Sequence, residues 1–197
     1  QVVSMVTSLS DFFRTVLSDG RDSIRISEEI SHIRSYLEIQ QFRYSDIMEY
    51  EIAIPEEISA YSIIKLTLQP LVENALYHGI KNKRGLGKII VTGEIIEDVI
   101  FLYVSDNGIG MSKEKLGELN RSLSGENNQL DLISDSEKEL GFGIVNVAER
   151  IKLNYGKEYG ISYESEYGVG TKVTVTIPVI FGVEKEVPKL NDLQLAG

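Results

Sequence analysis

The run Val99-Ile100-Phe101-Leu102-Tyr103-Val104-Ser105-Asp106-Asn107-Gly108-Ile109-Gly110-Met111 joins a β-rich segment to one acidic residue and a glycine-spaced loop. Residues 99–105 read as a strand, and 88–96 as its partner across a turn at Glu97-Asp98. A carboxylate at a strand end can accept a hydrogen bond from the exocyclic amine of adenine. Guanine carries an oxygen there, so the same Asp106 would repel it and select ATP over GTP. Gly108 and Gly110 let backbone approach a base closely and let the following loop hinge. Taken singly, the run is equally well a plain Asp-Asn-Gly turn.

Upstream lies Glu73-Asn74-Ala75-Leu76-Tyr77-His78-Gly79, at the end of a helix expected over about 62–79. Pro70 must kink that helix or mark its true start. A neutral Asn carbonyl suits Mg²⁺, a hard cation that keeps several waters and takes few protein ligands. The plainer account is a helix C-terminus capped by Gly79. Downstream, Gly141-Phe142-Gly143-Ile144-Val145-Asn146 opens a helix expected over 141–155, where free amides and the dipole end can hold phosphate. No Gly-Lys-Ser/Thr loop accompanies it, and the third Gly of a dinucleotide fold is missing. Last comes Gly168-Val169-Gly170-Thr171, before a strand whose alternation, Thr171-Lys172-Val173-Thr174-Val175-Thr176-Ile177, buries one face. Here Thr171 offers a hydroxyl, or the glycines simply make a hairpin turn. Further strands are expected at 48–54 and 160–165, a short helix capped by Ser112 over 112–123, and a mobile polar loop over 125–139.

Composition narrows the function. The chain has 197 residues, 42% hydrophobic and 25% charged, which is ordinary globular make-up. Thirty acidic residues against 20 basic ones give a net charge of −10, which argues against a nucleic-acid partner. It also makes a nucleotide phosphate a poor guest unless a cation or local dipoles offset the repulsion. Without cysteine, disulfides and thiolate metal sites are excluded. No apolar run approaches the roughly 20 residues of a membrane helix. Because the chain opens at Gln1 inside a helical pattern, it reads as a piece of a longer protein.

Two amphipathic helices are expected before the α/β region. Met5, Leu9, Phe12 and Val16 share a stripe ending at Asp19-Gly20. Ser27 can cap a second helix, with Glu28 and Glu29 in its first turn and Ile30, Ile33, Leu37, Gln40 and Tyr44 on one face. These helices form either the stump of a dimer stalk or a layer packed on their own domain. The expected division is a helical stalk at 1–46, an ATP-binding domain at 47–181 and a loose tail at 182–197.

The four motifs in this order resemble the N box, G1 box, G2 box and terminal Gly-Thr of the GHKL superfamily of ATPases (gyrase, Hsp90, histidine kinases and MutL proteins). Resemblance runs over about 48–179. It is closest to the LytS/YesM-like sensor histidine kinases, through Leu9-Ser10-Asp11-Phe12-Phe13-Arg14, Tyr36-Leu37-Glu38-Ile39-Gln40, Gln69-Pro70-Leu71-Val72-Glu73-Asn74-Ala75 and Gly143-Ile144-Val145-Asn146-Val147-Ala148-Glu149-Arg150-Ile151. The implied fold is the two-layer α/β sandwich of the Bergerat type, a mixed sheet against helices, with ATP under a flexible lid.

That resemblance makes Asn74 the Mg²⁺ ligand, Glu73 a base or polarising group, and Asp106 the adenine reader. It puts Gly108 and Gly110 beside the base, and Gly141, Phe142, Gly143 and Ile144 along the nucleotide toward its phosphates. Thr171 becomes a supporting hydroxyl near the adenine end. Two departures stand out. A Lys or Arg three residues after the Asn is common in the family, where this chain has Tyr77, so phosphate contact passes to His78 and Lys81, with Lys138 a further candidate. A second Asn four residues earlier is replaced by Pro70. The resemblance further implies a response-regulator partner, a homodimer through the upstream helices and a membrane-anchored parent with this portion in the cytoplasm. Of the two histidines, His32 lacks the following acid and the Pro four residues on, so it reads as a surface or interhelix residue. The phosphoacceptor is expected in a Pro-His-Phe segment before Gln1. The rival functions are a nucleotide-gated conformational ATPase, a serine kinase of the anti-sigma type, and a degenerate ATP-binding module.

Overall fold

The computed structural model describes residues 22–124 and 135–181, apart from the side chains of 135–142. The first expected helix and the tail after 181 lie outside the described residues. In chain order the elements are β1 (Ser23–Arg25), α1 (Ile26–Arg43), β2 (Met48–Ala53), α2 (Glu56–Ser59), β3 (Ser62–Ile64), α3 (Gln69–Asn74), a π-helical turn (Ala75–Ile80), β4 (Gly87–Ile96), β5 (Val99–Asp106), α4 (Lys113–Ser124), α5 (Asp135–Tyr155), β6 (Gly160–Glu166) and β7 (Gly170–Pro178).

Five strands make one mixed sheet in the order β2-β4-β5-β7-β6. The β2–β4 pair is parallel and the other pairs are antiparallel. Alternation decides its faces. Ile89 and Val91 of β4, Ile100, Leu102 and Val104 of β5, and Val173, Val175 and Ile177 of β7 are buried, and the residues between them are partly or fully exposed. Helices cover the buried face. Ile33 and Leu37 of α1, Leu71 and Val72 of α3, and Ile144, Val147 and Ile151 of α5 join the same core. The result is the expected two-layer α/β sandwich.

Two short strands were not legible. The expected helix over 62–79 is shorter, because Ile63 and Ile64 pair with β1 in a separate two-stranded sheet. The helix proper begins at Gln69, with Pro70 in its first turn, where a missing N–H costs nothing. Ser27 is likewise not the cap of α1. The helix starts at Ile26, whose amide donates to Tyr61 O at 2.8 Å, and Glu28 accepts the Arg25 amide at 2.8 Å.

Between β3 and α3 the backbone passes through Leu66 at φ 58°, a left-handed conformation for a non-glycine residue. Such a residue costs on the order of 1–3 kcal/mol and persists only where its surroundings hold it. Glu29 provides the hold. Fully buried on α1, its carboxylate accepts the amides of Leu66 and Leu68, each at 2.9 Å. So α1 anchors the start of α3, and packing continues across the expected boundary at residue 46. The buried face of α1 joins the core of the α/β region.

Candidate functional site

Asp106 ends β5 with a neighbouring strand on each side, opposite Ile89 of β4 and Thr171 of β7. Its carboxylate accepts the Gly108 amide at 2.7 Å. Burial pushes its pKa up to about 6, against the opposing pull of the Gly108 and Thr171 amides and the charge of Lys83. The carboxylate is therefore ionised at neutral pH and kept partly desolvated. Glycine is required around it. A Cβ on Gly79 would stand 2.5 Å from Asp106 Oδ1, and one on Gly108 would run into the Gly79 backbone. These two glycines let the end of the Asn74 helix abut the strand that carries Asp106, and Ile109 N donates to Gly79 O at 3.2 Å.

The residues after Asn74 form a π-helical turn rather than a helix cap, closed by Lys81 N donating to Leu76 O at 2.9 Å. Widened turns of this kind recur at functional sites because they re-aim side chains. Here His78 borders the cavity and Tyr77 does not. Tyr77 stays 36% exposed, with the Lys81 ammonium 4.6 Å from its ring centroid and 5.1 Å from that of Tyr44. Lys81 does not border the cavity: its ammonium is stacked on these two aromatic rings. Burial, and then the charge of Lys115, lower the pKa of His78. Both effects favour the neutral ring over the cation.

A cavity of about 350 Å³ brings the motifs together. Asn74, His78, Asp106, Gly110, Ile144 and Thr171 all border it. Asn74 and Asp106 therefore face one space. Thr171 Oγ1 lies 2.9 Å from Ser165 Oγ, which also accepts the Met111 amide at 2.9 Å and ties the glycine loop to β6. Glu73, Gly108 and Gly143 do not border it.

The G2 expectation needs correction. The helix carrying it, α5, opens at Asp135, so Gly141 and Gly143 lie inside it and not at its free N-terminus. The Asp135-Ser136-Glu137 start supplies small polar and acidic residues suited to a helix N-terminus, which moves the beginning upstream. A Cβ on Gly143 would meet nothing within 4 Å. The side chains of Phe142 and Lys138 lie outside the described residues.

Glu73 is held by a chain of side chains. Gln69 Nε2 donates to Glu73 Oε1 at 2.7 Å, and Gln69 Oε1 faces His32 Nε2 at 2.6 Å. A carboxylate only accepts, so Gln69 must turn its amide nitrogen to Glu73 and its oxygen to His32. Hence His32 Nε2 carries a proton. His32 is 1% exposed, an interhelix histidine.

Sequence reasoning missed two residues. Lys115 of α4 borders the cavity, but its position past the glycine loop gave no motif to flag it. Tyr163 of β6 is buried in the same wall. Burial pushes its hydroxyl above the ordinary phenol range, with the Asn74 amide beside it opposing the rise and the Asp106 charge adding to it. The strand expected at 160–165 carries no motif that singles out Tyr163.

No three His, Cys, Asp or Glu side chains among the described residues group to hold a metal ion. The donor on the cavity wall, the neutral amide oxygen of Asn74, fits a cation that brings most of its ligands with it as phosphate oxygens and water.

A mixed sheet with helices on one face thus carries a cavity bordered by a strand-end carboxylate and a helix-end asparagine. The sequence profile of the histidine kinase-, DNA gyrase B- and HSP90-like ATPases matches residues 62–180, and that of the histidine kinases matches residues 1–48. This chain belongs to the histidine kinase-, DNA gyrase B- and HSP90-like ATPase family. It is 32% identical over 90% of its length to sensor histidine kinase YesM of Bacillus subtilis, and 30% identical over 94% to sensor protein LytS of Bacillus cereus. It spans 28% and 30% of those proteins. The catalytic domain of histidine kinase ThkA shares the fold, with a TM-score of 0.58 at 14% identity over 80% of this chain and 97% of that one.

Proposed function

We propose that this chain is the ATP-binding catalytic portion of a two-component sensor histidine kinase. The observation that carries the proposal is that Asp106 and Asn74, from two separate motifs, border one cavity. Asp106 accepts the adenine amine through its carboxylate, while Gly110 and Thr171 border the same cavity. Asn74 would hold Mg²⁺ through its amide oxygen, and the ion would supply neutralisation of phosphate charge. Phosphoryl transfer needs positioning and charge neutralisation more than covalent help from the protein. The bond from the γ-phosphorus to the β–γ bridging oxygen breaks, a P–N bond forms at the acceptor histidine, and ADP leaves. Glu73, fixed by Gln69, takes or polarises the acceptor's proton.

Neither histidine of the chain suits the acceptor role. His32 is buried against Gln69, and His78 borders the nucleotide cavity. The acceptor is therefore assigned to another segment of the parent protein, from which the phosphoryl group passes to an aspartate of a response regulator. A homodimer built through the helices before α1, and a membrane-anchored parent that keeps this portion in the cytoplasm, complete the proposal. Among the described residues no helix is long and apolar enough to cross a membrane.

The test mixes the chain with an acceptor fragment bearing a Pro-His-Phe segment and γ-labelled ATP. Acid-labile, base-stable label on the fragment's histidine is expected. Label on serine, or ATP bound without any transfer, contradicts the proposal.

A further inference from the structure

ATP brings several negative charges to a chain whose own net charge is −10, so its phosphates need a cation from the protein in addition to the metal. Among the described side chains, the motif positions do not supply one. Tyr77 stands where the family commonly has Lys or Arg, Lys81 is held over the rings of Tyr44 and Tyr77, and His78 is driven toward its neutral form. The Gly141 and Gly143 amides lie inside α5.

One lysine does border the cavity. Lys115 sits in the first turn of α4, on backbone pinned at both ends. Its amide donates to Ser112 Oγ at 3.3 Å, Leu116 N donates to Ser112 O at 3.0 Å, and Met111 N is tied to Ser165 of β6. Its charge is felt at His78, on the far side of the sequence but on the same cavity. An ammonium placed beside a phosphate makes a charge-assisted hydrogen bond.

We propose that Lys115 is the phosphate-binding cation of this site, supplying from α4 the charge that Tyr77 lacks. This rests on the ATP-binding reading above. It makes the helix after the glycine loop part of the triphosphate site and separates phosphate recognition, on α4, from adenine recognition, on β5. A nucleotide without phosphates would use the second and be indifferent to the first.

The test is calorimetric titration of ATP and of adenosine, with Mg²⁺ present, into the chain and its Lys115→Met, Lys115→Arg, Lys113→Met and Lys81→Met variants. Thermal unfolding confirms that each variant folds. Lys115→Met should weaken ATP about ten- to a hundredfold, the range of a lost hydrogen bond between charged groups, and leave adenosine within about twofold of the parent. Lys115→Arg should recover most of the ATP affinity, and Lys113→Met should match the parent. Unchanged ATP affinity in Lys115→Met, an equal loss for adenosine, or the same selective loss in Lys81→Met in place of Lys115→Met would overturn the assignment. A parent chain that binds neither ligand would instead remove the ATP-binding reading on which it rests.

Discussion

A carboxylate held in a desolvated wall, with two backbone amides as its main compensation, is costly to keep ionised. At Asp106 the pKa pushed up to about 6 from 3.8 corresponds to about 2–3 kcal/mol of native stability forgone at neutral pH. The sign follows from linkage. The folded state binds this proton more tightly than the unfolded chain, so the full stability is present below pH 3.8. It declines as pH rises and is lost once pH passes about 6. Asp106→Asn should therefore raise the stability of the ligand-free chain at pH 7.5, with the gain shrinking toward pH 4, as denaturant titrations would show. The same substitution should weaken ATP about tenfold to a hundredfold, because a charged acceptor becomes a neutral one. ATP affinity of the parent should fall as pH drops through about 6, when the carboxylate gains its proton. Flat affinity between pH 5 and 8 would show that Asp106 does not accept from adenine. At this scale Asp106, Asn74 and Thr171 were legible as cavity-lining positions, because Asp106 and Thr171 stand beside glycine motifs at strand termini and Asn74 ends a helix. Lys115 and Tyr163 were not, since a lysine on an amphipathic helix and a tyrosine in an alternating strand look like surface and core until the fold closes around them.

The elements that carry these residues are positioned by contacts remote in sequence. Glu29 reads, in sequence, as one of two acids near a helix N-terminus. In the fold it leaves its own helix and holds the backbone that starts α3, taking the amides of Leu66 and Leu68. Glu29→Ala would leave both amides without that acceptor, at about 2–4 kcal/mol in total. Denaturant unfolding should register the loss, and a change below about 0.5 kcal/mol would contradict the anchoring role. Gln69 has a comparable place between His32 and Glu73. Gln69→Leu should slow transfer to an acceptor fragment about tenfold while ATP affinity stays within about twofold, since only the orientation of Glu73 is lost. Equal slowing and weakening would point to general damage to α3. Three local features were missed for one reason. The β1–β3 pairing, the π-helical turn and the upstream start of α5 depend on neighbours or backbone hydrogen bonds that periodicity does not encode, whereas the five long strands carry their own alternation.

Over the whole molecule, one sheet face and the inward faces of α1, α3 and α5 form a single core. Ile100, Leu102 and Val104 of β5 lie buried in it. Leu102 is fully buried, and Leu102→Ala should cost about 2–5 kcal/mol, read as a lowered unfolding midpoint. Because β5 also ends in Asp106, that packing sets the Asp106 carboxylate against the Asn74 helix, which the Gly79–Gly108 contact completes. The proposed function requires these two walls to grip one purine nucleotide together. Its most direct test is a calorimetric comparison of ATP and GTP, with and without Mg²⁺. It predicts ATP binding that weakens when Mg²⁺ is withdrawn, and GTP binding at least about a hundredfold weaker, as expected of a site built to accept from an amine. Equal affinity for ATP and GTP, or no binding of either, would contradict it.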